Sequence, residues 1–412
     1  MFTVTGGIRR QIALGTETNV TREIFLDNNA TTMPLSEVCD AVASVLSDGF
    51  GNVSSANSAG ERARRSALQA RMALARLVGA NESNVVFVSS GTEANNAVLF
   101  SAVAATDSRP RIVTTSVEHS SVLNCVEHLS QRDADVVVLP VDAMGQVDLS
   151  RADEQITSET SLVSVQWANN ETGVLQPIEE LGSICRNRDV PFHTDAAQVV
   201  GKVPIDLSQL PIDVLTMTAH KMHGPQGIGG IYARNPRWLS PMFYGGPQEN
   251  GLRPGTENLP GIVGYGMAAD VRFANLDNII AKLRHLRDRF ERGVMETISD
   301  VVVNGHDAPR MCNTTNLRFC GVDGQALVAG LDSVGIRCSQ SSACTSARPE
   351  PSYVLRAMGL TEDEAYSSVR FSFGVHNSED EIDVAVAAID EICIRLRKFS
   401  SRIHNPHHVA KA

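Results

Sequence analysis

The stretch "IDVLTMTAHKMHGPQGIGGIYAR" (212–234) joins two apolar runs through a tight turn that holds a single lysine. The runs "DVLTMT" (213–218) and "IGGIYAR" (228–234) have the composition of buried strands. Lys221 stands between His220 and His223, directly before a glycine-containing turn that cannot be helical. Such a lysine is either a surface residue in a turn or an amine held for Schiff-base chemistry, and this stretch alone leaves both interpretations open.

Similar β-branched runs occur upstream and alternate with helical patterns. Near-continuous apolar strands with helices between them indicate a mostly parallel sheet covered on both faces. We therefore predict an α/β protein whose large domain has a mostly parallel, seven-stranded sheet. The five further strands are predicted at 84–89, 111–116, 135–140, 162–167 and 190–195, and helices at 60–79, 92–104 and 177–189.

The pattern changes after Pro260 and predicts a smaller α+β domain. A long helix is expected over roughly 261–297, in one piece or with a break. Strands are predicted at 300–305, 313–319 and 367–373, and helices near 324–333 and 378–398. The predicted organisation is a flexible N-terminal extension (1–22), a large domain (36–264) and a small domain formed by 23–35 and 265–412.

Composition limits the function. The 412 residues, 42% of them hydrophobic, are enough for a large core and two domains. A formal charge of −11 argues against direct nucleic-acid binding. No apolar run approaches the ~18 residues of a membrane span. The eight cysteines form no CxxC pair, and in a chain of this length they indicate a reduced, cytoplasmic protein. No metal site is predicted.

The stretch "VFVSSGTEANNAVLF" (86–100) predicts a strand, a turn of small residues and a helix. Ser90, Gly91 and Thr92 would place free backbone N–H groups at the helix N-terminus, where phosphate binds. The alternative is an ordinary N-cap formed by Thr92, with Glu93 in the first turn.

Two other strands are predicted to end in titratable residues. Asp195 in "VPFHTDAAQ" (190–198) ends a buried strand, where an acid is costly without a cationic partner. The protonated ring nitrogen of pyridoxal phosphate (PLP) is such a partner, and an ordinary helix N-cap is the alternative. His119 in "TSVEHSSV" (115–122) follows a strand and begins a helix, where its ring is either stacked on a flat ligand or simply a capping or surface histidine.

The last two candidates lie in the small domain. Cys344 lies in "CSQSSACTSARPEPSYVL" (338–355), a small-residue and proline-rich stretch expected to form a flexible loop that exposes the thiol for attack and transfer. Arg370 lies within the predicted strand "SSVRFSFG" (367–374). It should face a carboxylate, either in an internal salt bridge or on a substrate.

The order of these features resembles the cysteine desulfurase family, in the class-V aminotransferase group of fold type I PLP enzymes. The resemblance runs from "FLDNNATTMP" (25–34) to the helix near 398 and includes "WANNETGVLQPIEELG" (167–182), "AHKMHGPQGIGGIY" (219–232) and "GGPQENGLRPGTEN" (245–258). The stretch around Cys344 resembles the longer-loop subgroup of nitrogen-fixation and iron–sulfur assembly enzymes.

The resemblance implies a role for each candidate. Lys221 would be the Schiff-base residue and Cys344 the sulfur acceptor. His119 would be the ring stacked on PLP and a catalytic residue that shuttles a proton to or from the thiols. Asp195 would face the pyridine nitrogen and Gln198 the phenolic oxygen. The phosphate-site positions would be Gly91, Thr92, Thr218 and His220, with Thr256 from the second subunit of a homodimer, and the substrate-carboxylate positions Asn170 and Arg370.

The implied activity is conversion of L-cysteine to L-alanine, with delivery of sulfur from a persulfide on Cys344 to an acceptor protein. The alternatives are a selenocysteine or cysteine lyase, an aminotransferase of the same fold, and a non-catalytic scaffold of a sulfur-transfer complex. Departures from the family pattern concern loop geometry and the choice of acceptor. They are Ser90 and Ser341 where glycine is common, and Val53 and Asn57 where proline and histidine are usual.

Overall fold

The computed structural model describes residues 23–106, 108–132, 134–340 and 350–404, and their side chains as far as residue 398. Its largest element is a seven-stranded sheet in the order β2-β8-β7-β6-β5-β3-β4. All neighbouring strands are parallel except β8, which is antiparallel to both of its neighbours. The strands are β2 (Val85–Val88), β3 (Arg111–Thr115), β4 (Asp135–Leu139), β5 (Thr160–Ser164), β6 (Phe192–Asp195), β7 (Val214–Thr218) and β8 (Gly229–Ala233).

Helices cover both faces of this sheet, as the uninterrupted apolar strands require. Successive strand residues belong to different cores: Ile112 packs on one face with α3 and α4, and Val113 packs on the other with α2 and α6. The helices are α2 (Ser58–Leu77), α3 (Gly91–Ala104), α4 (Ser120–Ser130), α5 (Leu149–Gln155) and α6 (Ile178–Arg186).

The long helix α7 (Leu259–Thr297) links the two parts of the molecule. Its first half buries Tyr265 in the core of the large sheet, and its second half buries Phe290 in a separate core. The helix is interrupted at Asn275, where φ is −129°, so a break occurs between the two packing regions.

The second core surrounds a three-stranded antiparallel sheet in the order β12-β10-β9. Phe290 contacts Phe371 and Phe373 of this region at ring-centroid distances of 4.7 and 5.4 Å. The strands are β9 (Val301–Val303), β10 (Thr314–Phe319) and β12 (Ser368–Ser372), with a parallel pair, β1 (Ile24–Phe25) and β11 (Ile336–Arg337), beside them. The remaining helices are α1 (Ser36–Ser47), α8 (Gly324–Ser333), α9 (Tyr353–Ala357), α10 (Glu362–Tyr366) and α11 (Glu379–His404).

The α/β prediction and the seven-stranded sheet are confirmed. All ten predicted strands are present, with ends displaced by a few residues. The short strand pair β1–β11 and the short helices α9 and α10 were not predicted. The N-terminal stretch 1–22 lies outside the described residues. No helix in the described ranges is long and apolar enough to cross a membrane.

Candidate active site

The carboxyl ends of the parallel strands open into a cavity of about 330 Å³. Parallel strands place their carboxyl ends at one edge, where α/β proteins bind ligands. A larger cavity of about 920 Å³ lies beside α1, but its lining is mainly apolar, whereas polar and titratable side chains gather in the smaller one. Ten of the predicted site residues line the smaller cavity: Gly91, Thr92, His119, Asn170, Asp195, Gln198, Thr218, His220, Lys221 and Arg370.

Two predicted residues are not in this set. Thr256 is exposed, on the chain that leads into α7, and is not part of the cavity lining. That Thr256 contacts the phosphate in the site of a second subunit therefore stays a prediction. Cys344 and Ser341 lie outside the described residues.

Lys221 occupies a one-turn 3₁₀ helix (Ala219–Lys221) directly after β7. Its Nζ donates hydrogen bonds to the backbone oxygens of Ala30, at 2.7 Å, and Asn29. The turn is tight, since a Cβ on Gly224 would lie 2.8 Å from the Cβ of Ala219. The lysine is therefore held at the cavity wall and is not an open surface residue.

Asp195 ends β6 and is 9% exposed. Its Oδ1 accepts the backbone N–H of Ala197 at 2.9 Å, and its Oδ2 accepts Nδ2 of Asn95 at 2.7 Å. Within the described ranges no lysine or arginine pairs with it, although a buried carboxylate is costly without a cation. The site thus fits a ligand that brings a positive charge to Asp195.

The N-terminus of α3 lines the same cavity. Ser90, not Thr92, is the N-cap, and its Oγ accepts the N–H of Glu93 at 3.1 Å. The N–H groups of Gly91 and Thr92 donate to no acceptor in the part of the chain that the structure describes. Free N–H groups at a helix N-terminus favour an anion such as phosphate.

Two histidines line the cavity in a low-dielectric setting. Burial, and then the charge of Lys221, lowers the pKa of His220 to about 4, so its ring is neutral at pH 7. Burial also lowers the pKa of His119, while Asp195 raises it. His119 is the N-cap of α4, with its Nδ1 accepting the backbone N–H of Ser121.

Arg370 comes from β12 and is 2% exposed. It pairs with Asp27 (Nη2 to Oδ1, 2.5 Å), and its Nη1 donates to the backbone oxygen of Asn170 at 3.1 Å. Nε of Arg370 and Oδ1 of Asn170 are buried without hydrogen-bond partners among the described residues. The internal salt bridge is present, and both Arg370 and Asn170 also line the cavity.

The chain on either side of 341–349 is attached beside these two residues. Ser339 and Arg370 exchange backbone hydrogen bonds of 3.2 and 2.7 Å. On the other side, the hydroxyl of Ser352 donates to Oε2 of Glu171, the neighbour of Asn170.

Sequence reasoning missed several polar residues that position this site. Asn95 binds the carboxylate of Asp195, and the only sequence signal was its place in the helix after the glycine turn. Glu118 is fully buried, and burial raises its pKa to about 8. Lys202 is 3% exposed and donates from Nζ to Oε1 of Gln198 at 3.4 Å.

The comparisons with known proteins agree on one enzyme family. The family model described as aminotransferase class-V matches residues 24–384. A cysteine desulfurase of Trichormus azollae is 43% identical over 377 residues, which cover 92% of this chain and 94% of the relative. A solved "NifS-like protein" superposes with a TM-score of 0.84 at 32% identity, covering 91% of this chain and 100% of that one. A solved structure described as "SspA in complex with cysteine" has a TM-score of 0.76 at 33% identity, covering 85% and 98%.

Proposed function

The chain belongs to the aminotransferase class-V family and, within it, to the cysteine desulfurases, and on that premise we propose that it converts L-cysteine to L-alanine through a persulfide on Cys344. The observation that carries the proposal is one cavity that joins the amine of Lys221 to the buried carboxylate of Asp195, which has no cationic partner in the described ranges. The relatives are named as desulfurases, which favours this activity over the lyase and aminotransferase alternatives.

The cavity residues fit PLP by their chemistry. Asp195 would hold the protonated pyridine nitrogen and Gln198 the phenolic oxygen, with His119 against the ring. Lys221 would hold the aldehyde carbon covalently. When bound, PLP supplies an acceptor for the electrons released at Cα of an amino acid. The phosphate would accept hydrogen bonds from the free N–H groups of α3. It would also contact the side chains of Thr92, Thr218, His220 and the partner subunit's Thr256.

The residues proposed to bind the substrate line the same cavity. A carboxylate of L-cysteine would accept from the guanidinium of Arg370, which is a charged, nearly buried donor. The amide nitrogen of Asn170 would be a second donor. With the carboxylate so held, Lys221 Nζ takes the proton from Cα, since a positioned amine is a general base.

The thiolate of Cys344 attacks the sulfur of the substrate. The S–S bond of the persulfide forms as the Cβ–S bond breaks. The electron pair of the broken bond remains on Cβ, which takes up one proton, equivalent to the one that the Cys344 thiol gave up, and becomes the methyl group of alanine. The hydrogen bonds of Ser339 and Ser352 support this role. Cys344 is five residues from Ser339, and five extended residues span at most about 18 Å.

Three further features belong to the proposal. The enzyme acts as a homodimer, supported by the exposed Thr256 and by Tyr244, which is 93% exposed. Residues 36–264 form the PLP-binding domain, while 23–35 and 265–412 form the small domain. The reaction takes place in the cytoplasm, where the described cysteines, which are free thiols, stay reduced.

The test is mass spectrometry of the intact protein after addition of L-cysteine without reductant. Wild type should gain one sulfur atom and release alanine. Cys344→Ser should keep its PLP, gain no sulfur and make alanine more slowly by orders of magnitude. Cys320→Ser is the control, because Cys320 is an exposed free thiol. If Cys344→Ser gained the sulfur or made alanine at the wild-type rate, another residue would be the acceptor.

A further inference from the structure

His119 caps helix α4 with its imidazole ring, a place usually taken by a serine, threonine, aspartate or asparagine oxygen. The backbone N–H of Ser121 donates to Nδ1 at 3.1 Å, and the hydroxyl of Ser121 lies 2.7 Å from the same atom. A backbone N–H can only donate. Nδ1 is therefore an acceptor and carries no proton while the cap is formed.

The hydroxyl of Ser121 is oriented by groups behind it. Asn95 faces the carboxylate of Asp195, which only accepts, so the Asn95 atom at 2.7 Å is the amide nitrogen. The amide oxygen accepts the hydroxyl of Thr216 at 2.5 Å, and the amide nitrogen also donates to Oγ of Ser121 at 2.9 Å. Since Oγ of Ser121 accepts from Asn95, its own proton is directed to Nδ1 of His119.

We propose that Ser121 and Asn95 hold His119 in the neutral form that carries its proton on Nε2, so that His119 offers the substrate a hydrogen-bond donor and not a basic nitrogen. The inference rests on the proposed function, since it concerns the same cavity. Burial lowers the pKa of His119, which agrees with a neutral ring at pH 7.

Nε2 is the atom of this ring left for a ligand. It has no hydrogen-bond partner among the described residues, and the ring lines the cavity. A donor at this position suits the thiol sulfur of the amino-acid substrate, whose lone pairs can accept, while the substrate carboxylate is assigned to Arg370. For Nε2 to act as a base, the proton would have to move to Nδ1, and the N–H of Ser121 would lose its acceptor. Ser121 is in this sense a positioning residue, which acts through His119.

The experiment combines a spectroscopic and a kinetic measurement on the PLP-loaded enzyme. Protein labelled with ¹⁵N-histidine reports by NMR which ring nitrogen is protonated, and the His119 signals are assigned by their loss in His119→Gln. Wild type should show one form of His119, protonated at Nε2. Ser121→Ala should add a fraction protonated at Nδ1, either neutral or doubly protonated, to the Nε2-protonated form, because only the backbone N–H of residue 121 then remains to hold Nδ1 as an acceptor.

Kinetics should follow the NMR result. In Ser121→Ala we expect kcat to fall about five- to tenfold, the effect of about one neutral hydrogen bond, with KM for cysteine within about twofold of wild type. Ser120→Ala removes a hydroxyl one residue away that makes no hydrogen bond to His119, and it should match wild type. Ser121→Thr keeps a hydroxyl and should restore most of kcat.

The inference would be overturned if wild-type His119 carried its proton on Nδ1, or if Ser121→Ala kept both kcat and a single Nε2-protonated form. Failure of the proposed function has a different signature. In that case wild type would make no alanine from cysteine, whereas the NMR signals would still report the ring of His119.

Discussion

The seven-stranded and the three-stranded sheet contribute to the cavity in different ways. The large sheet provides strand ends and helix starts, and its polar groups are joined by their own hydrogen bonds, from Asp195 through Asn95 to Ser121. The small sheet provides one side chain, Arg370, which forms an ion pair with Asp27. One side is assembled within the large sheet and its covering helices, and the other depends on the large and the small sheet staying in contact.

The large-sheet side and the small-sheet side of the cavity should therefore control different measurements. Changes on the large-sheet side should alter PLP content and the visible absorption band. Changes on the small-sheet side should alter KM for cysteine and leave the band in place. Single-residue variants on each side test this division between cofactor binding and substrate binding.

Lys221→Ala should have the largest effect. We expect activity to fall by at least roughly 10³-fold, since the variant loses both the amine that would hold PLP and the general base. Borohydride reduction followed by mass spectrometry should find PLP fixed to wild type and not to the variant. Lys282→Ala changes an exposed lysine and is the control. PLP fixed to the protein in Lys221→Ala would show that the covalent assignment is wrong.

Asp195→Asn should come second. It removes the negative charge at nearly constant shape, so kcat should fall about 10²- to 10³-fold, the range for loss of one preorganised electrostatic contact. PLP content after dialysis should also fall, because the ring nitrogen loses its anionic partner. Wild-type turnover together with full PLP content would contradict the assigned role.

The sequence predicted the large sheet well because six of its seven strands are largely buried and read as near-continuous apolar runs. The edge strand β4 is the exception, with Val138 exposed. The candidate site followed in part from predicted strand ends such as Asp195, which pattern alone can place at one edge, whereas Thr218 followed only from the family resemblance. Ser121 and Glu118 were missed because a serine near a helix start and a glutamate before it have many ordinary roles in sequence. Their functions depend on partners distant in the chain, such as Asn95 and Gln166, which donates its N–H to Glu118 at 2.8 Å.

On the small-sheet side, Arg370→Gln should raise KM for cysteine about 100-fold and change the absorption band little. The variant loses a buried charged donor, and a charge-assisted hydrogen bond contributes on the order of 2–3 kcal/mol. Asp27→Asn is the matched comparison, because it alters the partner of Arg370 and leaves the guanidinium. Its KM should change by less than tenfold. An equal rise in both variants would mean that the ion pair positions the domain and does not bind substrate.

The smallest effect is expected at Lys202, a buried amine between the two regions. Its Nζ donates to Gln198, and its backbone oxygen lies 3.7 Å from the thiol sulfur of Cys312. Burial lowers the pKa of Lys202 to about 7; the neighbouring Cys312 raises it, and Arg272 and Lys221 lower it. An unfolded lysine has a pKa of about 10.4, so the unfolded state binds more protons between about pH 7 and 10.

The free energy of unfolding of wild type should therefore rise with pH over this range. The free-energy cost of burying Lys202 is fully present below about pH 7 and disappears as the pH rises through about 10. Lys202→Met removes that cost, so its gain in free energy of unfolding over wild type should be largest near pH 6.5 and smaller near pH 9.5, by roughly a few kcal/mol. Urea unfolding of the PLP-free proteins at the two pH values measures this. The pH-dependent part of the hydrogen bond to Gln198 is already contained in the lowered pKa of Lys202, and the remaining part is lost equally at both pH values. Lys282→Met should show no such trend, and a gain that grew with pH would mean that Lys202 is charged and well paired in the folded protein.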